Sequence, residues 1–121
     1  MSERDPLVRL LHMRDFARSA VEIAARGSRE LMDQDEVFAY ALIYVVSMIG
    51  EAGSGVSAEV REAAPELPWT DIIGARDRLI HGYVEVRHDV VWDAATVDVP
   101  DLLPKLEALI ERLRGPAEPC P

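Results

Sequence analysis

The sequence predicts an all-α protein, an antiparallel four-helix bundle with one or two additional short helices. Apolar residues recur three and four positions apart along most of the chain, which is the period of an amphipathic helix. Capping residues or prolines precede these segments, and glycines or prolines follow them. One domain over residues 1–114 and a loose, Pro-rich tail over residues 115–121 account for the 121 residues.

Two long helices are expected in the first half of the chain. Asp5 is placed to cap the first helix, Pro6 to begin it and Gly27 to end it. The apolar stripe of this helix comprises Leu10, Met13, Ala17, Ala20 and Ala24. The second helix begins at Asp33 or Asp35, and glycines at positions 50, 53 and 55 weaken and end it. Because residues 38–49 are apolar nearly all round, this is either the central helix or one shared with a second subunit.

Three further helical segments complete the bundle. Ser57 caps a short helix that continues to Ala64, and Thr70 or Asp71 caps the next. The stripe of that helix comprises Ile72, Ile73, Arg76, Leu79, Ile80 and Tyr83. A short helix or irregular segment is expected for residues 89–98, since a lone strand would have no partner. Asp98 or Asp101 opens the last helix, whose apolar face comprises Leu102, Leu103, Leu106, Leu109, Ile110 and Leu113.

Composition limits the possible functions. The chain has 22 acidic and 13 basic residues, for a formal charge of −9. This disfavours broad nucleic-acid binding and DNA binding, because neutralised phosphates supply most nonspecific affinity. Cys120 is the only cysteine, so no intramolecular disulfide can form. The charged N-terminus lacks an apolar signal segment, and residues 38–49 are too few to span a bilayer. We expect a cytoplasmic protein without a membrane partner.

Residues 76–83 carry the chemistry expected of a phosphodiester-cleaving site. Arg76 is a permanent planar cation that matches phosphate oxygens, and His81 can exchange a proton near neutral pH. Arg76 lies in the apolar stripe of its own helix, where a charged side chain must be paired with an opposite charge or serve a function. On a continuous helix His81 would lie about 140° further round. The two could converge if the helix ends near Gly82, or across a two-fold axis.

Each of these residues also has an ordinary structural explanation. Arg76 could pair with a carboxylate such as Glu51, and His81 could pair with Asp77 on the helix surface. Tyr83 could pack against the core with a solvated hydroxyl. His12 and His88 belong to no set of ligands at metal-binding spacing.

The spacing Arg76-x4-His81-x-Tyr83 resembles the Arg-x4-His-x-Tyr signature of HEPN-domain ribonuclease toxins of the HepT-like group. The residues around it are similar as well: residues 49–52, Pro68-Trp69, residues 72–83 and Val91-Trp92. The resemblance covers roughly residues 7–113 and makes the chain similar to a known family over nearly its whole length.

This resemblance implies a homodimeric, metal-independent endoribonuclease with no cofactor, whose two motifs face each other in a cleft between subunits. It also implies a type VII-like toxin–antitoxin pair, in which a minimal nucleotidyltransferase antitoxin transfers AMP from ATP to Tyr83. Arg76 and His81 would then be the catalytic residues, with Asp77 orienting the imidazole and Arg78 an auxiliary phosphate contact. The expected chemistry is attack by a ribose 2′-hydroxyl that leaves a 2′,3′-cyclic phosphate.

Two other functions remain open at this point. The chain could be a non-catalytic nucleotide- or substrate-binding subunit of a nucleotidyltransferase complex, because Arg76 and Tyr83 would serve that role equally well. It could also be a plain dimeric scaffold in which Arg76 makes a structural ion pair.

Overall fold

The computed structural model describes the backbone of residues 5–81 and 85–115, and their side chains except those of residues 76–81 and 85. The elements are α1 (Pro6–Ala24), α2 (Leu31–Gln34), α3 (Glu36–Ser54), α4 (Ala58–Ala63), α5 (Trp69–Leu79), β1 (Ile80–His81), β2 (Glu85–Val86), α6 (His88–Asp93), a π-helical turn (Ala94–Asp98) and α7 (Val99–Arg114). The predicted all-α bundle is confirmed. Among the described residues, β structure is limited to two strands of two residues each.

The centre of the bundle is formed by α1, which packs against α3 and α7, while α3 also packs against α5. The carboxylate of Asp5 accepts a hydrogen bond from the Leu7 N–H at 2.9 Å and so caps α1, as predicted. The five residues of the predicted α1 stripe are all buried. Three of them are alanines, which allow the neighbouring helices to approach closely.

The end of α1 differs from the prediction. The helix stops at Ala24, three residues before Gly27. A Cβ atom at Gly27 would lie 2.6 Å from the Phe38 ring, so the glycine is needed for close packing against α3 rather than as a helix stop.

The start and the end of α3 follow the prediction, since the helix ends at Ser54 with Gly55 as its C-cap residue. Asp35 caps it, accepting from the N–H groups of Val37 at 2.9 Å and Phe38 at 3.2 Å. The predicted weakening at Gly50 and Gly53 is wrong, because the helix continues through both to Ser54. A Cβ at Gly53 would lie 2.9 Å from Cγ2 of Ile72, so this glycine lets α5 approach α3.

One side of α3 is exposed although it is apolar. The α3 stripe, as we call it, consists of Val37, Tyr40 and Tyr44, which are 78%, 65% and 57% exposed. Phe16 of α1 meets Tyr44 edge to face, with ring centroids 6.1 Å apart. By length and composition alone, Glu36–Ser54 could cross a membrane, with a mean hydropathy of 1.5, but 56% of its apolar window is buried inside the protein. That degree of burial is typical of a core helix.

The connection from α3 to α5 is short and firmly anchored. Ser57 caps α4 as predicted, accepting from the Val60 N–H at 3.3 Å. The prediction that Thr70 or Asp71 caps α5 is wrong, because α5 begins at Trp69. The indole Nε1 of Trp69 donates to the Ala64 carbonyl at 2.9 Å and is buried. This hydrogen bond fixes the turn before α5 and lets the helix start earlier than the polar residues suggest.

A nearly continuous helix runs from His88 to Arg114, interrupted by the π-helical turn Ala94–Asp98. Residues 89–98 are therefore helical, as preferred from the sequence. Pro100 has no N–H and its ring crowds the carbonyl of Thr96, so the regular α-helical hydrogen-bond ladder is interrupted at this point. A π-helical turn is wider and accommodates such a break. The predicted apolar face of α7 is largely buried, and Leu113 at its end is exposed.

Candidate active site

The two halves of the Arg-x4-His motif lie on different elements. Arg76, Asp77 and Arg78 belong to the last turn of α5, which ends at Leu79. His81 lies two positions further on, in β1. The helix, expected to end near Gly82, therefore ends three residues earlier, and its predicted apolar stripe does not extend to Ile80. Ile80 is β-branched and pairs with Val86 across the hairpin, and this pairing takes the place of another helical turn.

The hairpin has a defined register. β1 and β2 are antiparallel, with Ile80 opposite Val86 and His81 opposite Glu85. Tyr83, the predicted modification site, lies with residues 82–84 outside the described part of the chain. The hairpin holds His81 beside the carboxyl end of α5 by backbone pairing as well as by covalent connection.

This arrangement removes the angular restriction inferred for a continuous helix. The separation of about 140° between positions 76 and 81 applies only while both are helical. Because α5 ends at Leu79 and His81 lies in β1, the helical phase does not relate positions 76 and 81. The carboxyl end of α5 also carries a partial negative charge, which favours the cations Arg76 and Arg78 in its last turn.

The helix that carries Arg76 is held at its start and along its middle. Trp69 is buried at the first position, and its indole is hydrogen bonded to the Ala64 carbonyl. Ile72 is buried against Gly53 of α3, one turn before Arg76. The last turn of α5 therefore extends from a well-packed base, which is a requirement for a positioned catalytic cation.

A polar cluster anchors the segment that follows the hairpin. The Arg29 Nε donates to Asp89 Oδ1 at 2.6 Å, and Arg29 Nη1 lies 3.2 Å from Asp33 Oδ2. His88 Nδ1 lies 2.9 Å from Asp33 Oδ1. The hydrogen bonds from His88 and then from Arg29 lower the pKa of the Asp33 carboxyl below its ordinary value. The hydrogen bonds that Arg29 donates to Asp89 and, to a lesser extent, to Asp33 raise the pKa of the Arg29 guanidinium above its ordinary value.

Sequence reasoning did not find this cluster. Arg29 lies between α1 and α2 and Asp33 lies in α2, while His88 and Asp89 begin α6, 55 or more positions away. No periodicity or short motif connects such distant residues. His88 is thus a structural contact at the start of α6.

The remaining histidine and the acidic residues do not assemble a metal site in the described part of the chain. His12 is exposed on α1. No group of three His, Cys, Asp or Glu residues among the described positions is arranged to hold a metal ion.

Comparison with protein families places the chain in a known family. The model of the family "Ribonuclease HepT-like" matches residues 13–109, which is most of the chain. The match runs from the middle of α1 to the last third of α7 and includes the motif segment between α5 and α6.

Several curated proteins are similar over nearly their full length. A protein of Methanocaldococcus jannaschii, named "Putative RNase", is 26% identical over 98% of this chain and 98% of its own. A "Probable ribonuclease HepT" of Thermococcus cleftensis is 31% identical over 81% of this chain and 92% of its own. Another "Putative RNase", from Caldanaerobacter subterraneus, is 28% identical over 90% of this chain and 97% of its own. No solved structure matches the chain.

Proposed function

Because this chain belongs to the HepT-like ribonuclease family, we propose that it is a metal-independent endoribonuclease that uses Arg76 and His81. The observation that carries the proposal is the position of these two residues: Arg76 in the last turn of α5 and His81 just past its end, on a paired strand. A cation and a proton-transfer group on adjoining elements are the groups that metal-free cleavage of RNA requires.

The proposed reaction is an internal transesterification. His81 takes the proton of a ribose 2′-hydroxyl, and the 2′-oxygen attacks the adjacent phosphorus. The bond from phosphorus to the 5′-oxygen breaks, and that oxygen takes a proton from a second, protonated imidazole. The products are a 2′,3′-cyclic phosphate and a free 5′-hydroxyl. Arg76 stabilises the charge that accumulates on the phosphoryl oxygens.

Other motif residues have supporting roles in this proposal. Asp77 lies in the same last turn and orients the imidazole of His81. Arg78 adds a phosphate contact. The formal charge of −9 argues against a general affinity for RNA, so we propose a narrow set of substrates that is recognised locally.

The second imidazole comes from a second copy of the chain. We propose that the homodimer forms through the α3 stripe, because Val37, Tyr40 and Tyr44 leave a continuous apolar surface exposed on one protomer. Tyrosine is enriched among the residues that dominate protein interfaces.

Regulation would act on the motif itself. We propose that a minimal nucleotidyltransferase antitoxin transfers AMP to Tyr83. The tyrosine oxygen attacks the α-phosphorus of ATP and pyrophosphate leaves. The product carries a bulky, negatively charged group two positions from His81, where an RNA phosphate would have to bind.

The test is cleavage of an RNA panel by purified protein in the presence of a chelator. Arg76→Ala and His81→Ala should each lower the cleavage rate by about 10²-fold or more. The matched controls are Arg26→Ala and His12→Ala, which alter the same residue types at exposed positions on or next to α1. Equal cleavage by parent and motif variants would overturn the proposal. If no RNA is cut but ATP-dependent adenylylation of Tyr83 still occurs, the non-catalytic binding subunit is the better description.

A further inference from the structure

A cavity of about 220 Å³ opens beside α5, between α3 and the helical segment that runs from α6 into α7. Its walls are formed by apolar side chains from all three helical segments: Val46, Ile49, Ile72, Ala75, Val90 and Val99. Ala75 directly precedes Arg76, so the cavity adjoins the last turn of the motif helix. Ligand pockets for drug-sized molecules enclose about 300–1,000 Å³, so this cavity suits a single side chain better.

The π-helical turn shapes one wall of the cavity. Ala94, Asp98 and Val99 all face it although they are four and five residues apart. The backbone N–H of Val99 donates to the Ala94 carbonyl, which is the i to i+5 hydrogen bond of a π-helical turn. π-Helical turns are rare and occur frequently at functional sites. Ala94 and Ala75 are small, so neither side chain fills the space between the helices.

The mouth of the cavity is acidic. Asp71, Asp98 and Asp101 line it, and all three are exposed. Asp98 makes no hydrogen bond or ion pair among the described residues. Asp101 makes only an exposed contact with Lys105, 3.2 Å away on the same helix. Exposed pairs of this kind contribute little and exchange readily for a better partner.

We propose that this cavity receives an arginine side chain from a protein partner. The aliphatic stem would pack against the apolar walls, and the guanidinium would reach Asp98 and Asp101 at the mouth. Charge-assisted hydrogen bonds of this type are stronger than neutral ones. This inference goes beyond the proposed ribonuclease activity, because it requires only a basic partner surface.

The negative charge at the mouth of the cavity argues against a nucleobase as the group that binds there. A base that enters the cavity would bring its flanking phosphates close to the carboxylates, and like charges repel. A guanidinium is attracted by the same groups, and the net charge of −9 adds to that attraction. A partner held here would lie against the helix that carries Arg76.

The experiment is a methyl NMR titration of the full chain with N-acetyl-arginine amide at low salt. We expect saturable shifts of the Ile72, Val90 and Val99 methyl groups. N-acetyl-citrulline amide, which has nearly the same shape without the charge, should shift them much less. Asp98→Asn should weaken the arginine effect roughly two- to five-fold, and Asp98→Asn combined with Asp101→Asn by about tenfold. Ala94→Leu should fill the cavity and abolish the shifts.

The matched control is Asp93→Asn, an exposed aspartate on α6 that does not line the cavity. It should leave the titration unchanged. The proposal is overturned if the arginine shifts are absent, if citrulline produces the same shifts, or if they persist in the double variant. Stronger shifts with guanosine monophosphate would assign the cavity to a nucleotide instead. RNA cleavage by Asp98→Asn protein at the parental rate would show that the two functions are separate.

Discussion

His88 and Asp33 are joined across 55 positions of the sequence, with the imidazole Nδ1 2.9 Å from the carboxylate Oδ1. Arg29 contacts the same carboxylate and also Asp89, so the start of α6 is tied to the segment around α2. Only Arg87 separates α6 from β2, which pairs with the strand that carries His81. The cluster therefore anchors the hairpin of the candidate site from outside the motif.

The Asp33 carboxylate should contribute stability that depends on pH. Its pKa in the folded protein is lowered from 3.8 by His88 and Arg29. Such a group stabilises the fold fully above its unfolded-state pKa, and the contribution is lost as the pH falls through the lowered value. Asp33→Asn should therefore lower the urea midpoint at pH 7 but have little effect well below pH 3.8. Asp93→Asn, which alters an exposed aspartate outside the cluster, is the control, and an equal loss for both variants would contradict the assignment.

Gly53→Ala should destabilise the protein although alanine is the better helix former by about 1 kcal/mol. The new Cβ would lie 2.9 Å from Cγ2 of Ile72, a branched methyl group that cannot rotate away without leaving its rotamer. We expect α5 to shift away from α3 and RNA cleavage to fall. Urea unfolding of Gly53→Ala, Ile72→Ala and the double variant measures the coupling. The double variant should lose less stability than the two single losses added together, and strict additivity would argue against the contact.

Leu106→Ala should cost about 2–5 kcal/mol of unfolding free energy. Leu106 is completely buried in the face of α7 that packs against α1. Leu113 lies two turns further along the same helix and is 44% exposed, so Leu113→Ala should change stability by no more than about 0.5 kcal/mol. Chemical denaturation of the two variants tests which face of α7 is buried. Similar losses of unfolding free energy at positions 106 and 113 would contradict the assignment.

Tyr40→Arg should dissociate the proposed homodimer and reduce RNA cleavage with it. Tyr40 is 65% exposed in the middle of the α3 stripe, and loss of a central interface tyrosine raises the dimer dissociation constant by roughly 30-fold or more. Sedimentation velocity over a range of concentrations measures the change. Val97→Arg, at an exposed apolar position of the π-helical turn, should leave the dimer intact. Dissociation by Val97→Arg alone would place the interface elsewhere.

The sequence predicted the elements that depend on local chemistry. Asp5, Asp35 and Ser57 were identified as capping residues, and each accepts the expected backbone hydrogen bond. The buried positions of α1 also follow directly from their spacing. These features are determined by residues within one or two turns, so a pattern in the chain is sufficient to find them.

The errors concern positions where a distant contact decides the local structure. The apolar spacing from Arg76 to Tyr83 suits a helix, but pairing of Ile80 with Val86 ends α5 at Leu79. Gly53 looked like a helix breaker because the close approach of Ile72 cannot be seen in the sequence. The motif residues of the candidate site were identified from their residue types and their order in the sequence. That Arg76 lies on a helix and His81 on a strand could be seen only in the folded structure.

The π-helical turn has a consequence for insertions and deletions in this region. Insertion of one residue into Ala94–Asp98 would rotate α6 relative to α7 by about 100°. Either Val91 of α6 or Leu106 of α7, both fully buried, would then have to turn towards solvent. The number of residues in this stretch is therefore constrained, because even one added residue would disturb the core. The amino acids on its outer face can vary.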